Sequence, residues 1–129
     1  MLVVKKIDDC FAYRNQYNGS VGFVPTMGAL HAGHLELVKQ SLATCNITIV
    51  SIFLNPKQFS ANEDLDKYPV NLKRDLSLLE NLNVDCVFTP DTSEIYTQDH
   101  SIVLIENQLS KVLEGKSRPG FFQGVITVV

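Results

Sequence analysis

The alternation of apolar and polar positions changes period along the chain, and each change marks an element. Val21, Phe23 and Val24 form a short uncharged run of β-forming residues, which predicts a strand buried on both faces and stopped by Pro25. From Leu35 the apolar positions fall at Leu35, Val38, Leu42 and Cys45, a spacing that places them on one face of a helix. Ile47 to Leu54, ITIVSIFL, is dense in β-branched and aromatic residues and predicts the central strand. Leu72, Leu76, Leu79 and Leu82 recur at helical spacing with Lys73, Arg74, Asp75 and Glu80 on other faces, the pattern of a surface helix with one side in the core. Val84 to Thr89 predicts another strand, closed by Pro90.

Weaker signals flank these. Leu2 to Val4 reads as a short edge strand, Asp8 or Asp9 as the cap of a brief helix towards Tyr17, and Asn18-Gly19 as a turn. Ile102 to Ile105 predicts a fourth strand, and Leu109, Val112 and Leu113 a helical turn ended by Gly115. Propensity alone makes the final VITVV a strand. Strand and helix alternate, which predicts an α/β fold with right-handed crossovers and a parallel sheet.

Composition narrows the function. A chain of 129 residues with 45% apolar and 19% charged residues suits one soluble globular domain. A formal charge of −3, without a Lys/Arg cluster longer than two, predicts no nucleic-acid partner. The apolar run Ile47 to Leu54 is too short to span a bilayer, and the order of MLVVKKIDDC is wrong for a secretory signal. Three widely spaced cysteines fit a reducing cytoplasmic setting, as core or half-buried thiols.

The candidate chemistry lies in VGFVPTMGALHAGH, Val21 to His34, where two histidines stand at a helix start. The first helical turn offers unpaired N–H groups and partial positive charge, which favour a phosphate. Gly28 permits backbone angles closed to other residues, and Gly33 removes a side chain where a nucleotide would meet the helix end. His31 and His34 share a face. The pattern is neither a Walker loop nor a dinucleotide fingerprint. The same spacing also fits a metal pair or a plain cap with exposed imidazoles; a metal is the minor option, because His100 is distant and the cysteines form no close pair. After the central strand, the amides of Asn55 and Gln58 emerge where open α/β sheets bind ligands, at the edge that holds the histidines. The polar run SANEDLDKYP, with Asp64, Asp66 and Tyr68, reads as a loop over the mouth of the site.

Taken together in order and spacing, PTMGALHAGH, Asn55-Pro56-x-Gln58-Phe59, Asp64-Leu65-x-x-Tyr68-Pro69 and Glu114-Gly115-x-x-Arg118-Pro119 resemble the pantothenate synthetase (pantoate–β-alanine ligase) family. His-x-Gly-His alone would point only to the wider nucleotidyltransferase group. The resemblance covers about residues 20 to 129. It implies a Rossmann-like nucleotidyltransferase fold with helices on both faces of a parallel sheet. It also implies an AMP-forming acid–amine ligase that condenses (R)-pantoate with β-alanine through a pantoyl adenylate, on the way to coenzyme A. By the same resemblance Met27, Gly28, Ala29, Leu30, His31, Ala32, Gly33 and His34 form the ATP loop, His34 is the proton donor with His31 beside it, and Gln58 holds pantoate and then β-alanine, with Asn55 and Tyr68 near. ATP with Mg²⁺ is the nucleotide substrate, no residue is assigned to the metal, and the related enzymes imply a homodimer.

Residues 1–129 correspond to the family's N-terminal nucleotide-binding domain. The later Gly-x-Lys-Asp-x-x-Gln and Ser-Ser-Arg motifs and the C-terminal domain are absent from the sequence. Val70 stands where the family has Arg, and Phe121 where it has His. The family also continues VITVV as a long helix, and that expectation is preferred to the propensity reading. Two other functions remain open. One is a nucleotide-binding module without turnover. The other is a different nucleotidyltransferase, such as one acting on a phosphorylated vitamin precursor, for which Lys57, Lys67 and Arg118 are a thin basic complement.

Overall fold

The computed structural model describes residues 1–59, 68–69 and 71–129. It contains two compact units, Met1–Leu54 with Pro69–Glu94 and Asn55–Tyr68 with Ile95–Val129.

The first unit is the sheet and its helices. In chain order it contains β1 (Leu2–Val4), α1 (Ile7–Arg14), β2 (Val21–Thr26), α2 (Ala32–Thr44), β3 (Ile47–Ile52), α3 (Leu72–Asn81) and β4 (Cys86–Phe88). The strand order is β1-β4-β3-β2 and every pairing is parallel, with Leu2 opposite Cys86, Ile49 opposite Cys86, and Val21 opposite Ile47. All six residues of β3 are buried, as befits the densest apolar run placed between two neighbours. Alternate residues serve opposite faces. Val24, Val50, Ile52 and Val87 join Leu30, Val38, Leu79 and Val84 in one cluster, with Leu35 and Leu42 of α2, Leu76 of α3 and Leu82 just after α3 packed on it. Val4, Ile47, Ile49 and Cys86 form the other cluster, under Cys10 and Tyr13 of α1. Helices therefore cover both faces.

Several sequence expectations change in detail. Among the described residues β2 is an edge strand, and Phe23 is 49% exposed instead of buried on both faces. Pro25 does not end it: the ladder runs on to Thr26 opposite Ile52, because an edge strand tolerates a residue without N–H. The cap of α1 is Lys6, and the carboxylate that satisfies the first turn is that of Glu94 in α4 (Thr92–Ile95), which accepts from the Ile7 N–H at 2.9 Å. Asp75 lies wholly inside, not on an outer face.

The second unit holds a 3₁₀ turn at Pro56–Gln58, another at Leu109–Lys111, and the helices α5 (Glu114–Ser117) and α6 (Phe121–Val128). Ile102 to Ile105 is not a strand; these residues have no ladder partner among the described residues and are 73%, 42%, 54% and 64% exposed. Gly115 lies inside α5 and does not end a turn. VITVV is helical, as the resemblance implies and against its propensity.

Candidate functional site

β2 and β3 are parallel, so both release the chain at the same sheet edge. At the end of β2 the Thr26 hydroxyl donates to the Ser51 carbonyl at 2.9 Å and accepts from the Gly28 N–H at 3.2 Å. The chain then turns through positive φ at Gly28 (81°) and Ala29 (52°). A side chain at Gly28 would meet Asp75 Oδ2 and Ile52 Cγ2 at 3.2 Å, and the left-handed region costs an alanine roughly 1–2 kcal/mol. The Asp75 carboxylate holds that conformation. It accepts from the Ala29 N–H at 2.8 Å and the Leu30 N–H at 3.0 Å, while Arg74 Nη1 donates to the Leu30 carbonyl at 3.1 Å.

The histidines follow immediately. His31 is the N-cap of α2; its Nδ1 accepts from the Gly33 N–H at 3.1 Å, and Nδ1 of His34 accepts from the His31 N–H at 3.4 Å. The rings lie 4.0 Å apart at 36°. An acceptor nitrogen carries no proton, so in the neutral state both imidazoles hold their proton on Nε2. The Nδ1 atoms thus build the helix start and leave the proton on Nε2. Gly33 makes room chiefly for His31, whose ring atoms lie 3.1 and 3.2 Å from where a Cβ would stand. The N–H groups of Gly28, Ala29, Leu30, His31 and Gly33 are all engaged within the chain. Burial lowers the His34 pKa below its ordinary value, the neighbouring His31 adds to this, and the Asp75 charge opposes it.

In the second unit Asn55 is completely buried and fully used. Its Oδ1 accepts from the Lys57 N–H at 3.1 Å and the Tyr96 hydroxyl at 2.8 Å. Its Nδ2 donates to the Gly124 carbonyl at 3.0 Å and to Gln58 Oε1 at 2.9 Å. A backbone N–H cannot accept and a carbonyl cannot donate, so the orientation of Asn55 is fixed, and with it that of Gln58. Gln58 thus directs its Nε2 amide donors away from Asn55. It lines a cavity of about 340 Å³ with Arg118, Phe121, Gln123 and Thr127 among others. Arg118 donates to the Gln58 carbonyl at 3.1 Å and stacks 4.2 Å over the Phe121 ring. Phe121 thereby forms an apolar wall of the cavity. Gly124 brings α6 against the Lys57 carbonyl, at a distance no side chain would allow.

Asn55 acts on Gln58, not as a free amide, and Tyr68 packs edge-on against Phe59 with ring centroids 5.7 Å apart. Asp64, Asp66 and Val70 lie outside the described residues. Sequence reasoning missed Asp75, Arg74 and Tyr96. Asp75 left one trace: it falls three residues after Leu72 and four before Leu79, on the leucine stripe itself.

The family model for pantoate-beta-alanine ligase matches residues 2–129. A pantothenate synthetase from Pseudothermotoga lettingae is 52% identical over 133 residues, covering 100% of this chain and 47% of that protein. One from Campylobacter fetus is 44% identical over 129 residues with the same coverage. Among solved structures, a pantothenate synthetase from Thermus thermophilus superposes with a TM-score of 0.91 at 40% identity, over 99% of this chain and 46% of that one. The pantoate-beta-alanine ligase from Francisella tularensis, complexed with beta-gamma ATP and beta-alanine, gives a TM-score of 0.91 at 40% identity over 99% of this chain and 50% of that one. The chain spans about half the length of the curated relatives it matches.

Proposed function

Since this chain belongs to the pantoate–β-alanine ligase family and has its Rossmann-like nucleotidyltransferase fold, we propose that it is the nucleotide-binding N-terminal domain, residues 1–129, of an enzyme condensing (R)-pantoate with β-alanine. The observation that carries the reading is the histidine pair, whose Nδ1 atoms are spent on the helix start and whose Nε2–H groups are thereby preset as donors.

The chemistry explains why such donors are needed. A carboxylate is a poor electrophile at neutral pH. In the first step a pantoate carboxylate oxygen bonds to the α-phosphorus of ATP as the bond to the β-phosphate oxygen breaks, and pyrophosphate leaves. Negative charge grows on the phosphate oxygens, where Nε2–H of His34, supported by His31, stabilises it or hands over its proton. Donors fixed beforehand act on charge that develops, not on the ground state. In the second step the β-alanine amine attacks the acyl carbon and AMP departs. Gln58, with Oε1 held by Asn55, presents its amine to the pantoate oxygens and then to the β-alanine carboxylate; Tyr68 flanks this site. Met27 to His34 is the ATP loop. ATP enters with Mg²⁺, and the enzyme works as a cytoplasmic homodimer in the pathway to coenzyme A, without nucleic acid or membrane partners.

Exchange of labelled pyrophosphate into ATP tests this. Exchange that requires pantoate supports the reading. ATP binding without exchange would make the chain a binding module, and exchange driven by a different acid would make it another nucleotidyltransferase.

A further inference from the structure

The geometry points to Asp75 as a positioning residue of the nucleotide site: its buried carboxylate fixes the Ala29 and Leu30 peptides and so sets where the imidazoles of His31 and His34 stand. This rests on the reading above for its functional meaning, though not for its structural content.

A carboxylate with no exposed surface, placed on a stripe of leucines, is unfavourable unless its oxygens are matched. Here each oxygen meets one loop N–H, Oδ2 that of Ala29 and Oδ1 that of Leu30. Two more observations give this match a purpose. Ala29 occupies positive φ, a conformation that persists only where neighbours enforce it. Leu30 is gripped at every handle: its N–H by Asp75, its carbonyl by Arg74, and its side chain, 1% exposed, by the core. His31 is the next residue, and its N–H is the one that His34 Nδ1 accepts. One peptide unit therefore separates the clamp from the cap that orients both rings. Arg74, beside Asp75 at 3.5 Å, closes the clamp from outside. Among the described residues, the charged and titratable groups facing His34 are His31 on its own helix and Asp75 on α3, with Arg74 next to the latter.

Asp75→Asn in the full natural protein tests the clamp, since the amide keeps one acceptor and turns a donor towards the other N–H. Displacing catalytic donors by about 1 Å costs on the order of 10²-fold, so kcat for pyrophosphate exchange should fall about that far while KM for pantoate changes little. The His31 and His34 imidazole ¹⁵N resonances should move, and the His34 titration midpoint should drop further as the Asp75 charge is lost. Leu82→Ala, on the same core but away from the loop, should lower stability and leave those resonances in place. Wild-type kcat with unmoved histidine signals in Asp75→Asn would overturn the proposal, as would the same histidine shifts in Leu82→Ala. If Asp75→Asn does not fold, Arg74→Met decides by the same readouts, with a several-fold fall in kcat expected and no change overturning it. If the wild-type protein shows no pantoate-dependent exchange, the functional reading fails, and the resonances alone judge the clamp.

Discussion

His34 concentrates the chemistry that the proposed reaction needs into one nitrogen. His34→Ala should cut the adenylation rate by about 10²–10⁴-fold, the range for a positioned acid or preset donor, with a smaller loss of nucleotide affinity. His34→Asn keeps a neutral donor without a transferable proton; recovery of most of the rate would make His34 an electrostatic anchor instead of an acid. Its pKa is lowered, so the folded chain prefers the neutral ring. Stability from this preference is present above the unfolded value near 6.5 and is lost as pH falls through the lowered folded value; an NMR midpoint at or above 6.5 would contradict it. Gln58→Ala should weaken pantoate and leave ATP affinity nearly unchanged by calorimetry, whereas equal loss of both would mean that Gln58 serves the fold. Both residues stand out as candidates in the sequence because they lie in short motifs. Asp75 does not, because a charge on a helix reads as solvated until its partners, some forty-five residues earlier in sequence, are known.

Among the elements, α6 and the turn at Pro56–Gln58 form the tightest pairing around Gln58, with Gly124 as the point of approach. Gly124→Ala should cost about 1–3 kcal/mol by overpacking and should weaken pantoate binding by moving Gln58, a loss measurable by denaturant titration and calorimetry together. Full pantoate affinity in that variant would disconnect α6 from the site. The elements also show where pattern reading succeeds. The parallel strands β2, β3 and β4 and the faces of α2 and α3 follow from periodicity, because burial on a sheet or helix imposes it. VITVV does not: its residues favour strands, yet they form a helix whose buried position is Gly124, and packing overrides propensity. Ile102 to Ile105 fails for the opposite reason. Strand-forming residues without a neighbouring strand have no ladder to join.

At the scale of the whole chain, the cysteines sit as predicted, with Cys86 buried and Cys10 and Cys45 half-buried. Burial pushes the Cys86 thiol up to about 11. The folded state favours the neutral thiol, so its contribution holds below the ordinary value of 9.0 and is lost as pH rises towards about 11; a melting temperature that stays flat across that range would contradict the assignment. The sheet order has a further consequence, for the sequence of events in folding. β2 meets β3 across a short loop of chain that already contains α2, whereas β1, among the described residues, pairs only with β4, Leu2 lying opposite Cys86. Closing the longer loop is entropically dearer and is rewarded only once β4 has docked on β3. Of these four strands the earliest in sequence is therefore the last to find its place: in pulse-labelled hydrogen exchange, amides of β2 and β3 should gain protection before those of Leu2 to Val4, and during translation Leu2 waits for more than eighty further residues before its partner exists.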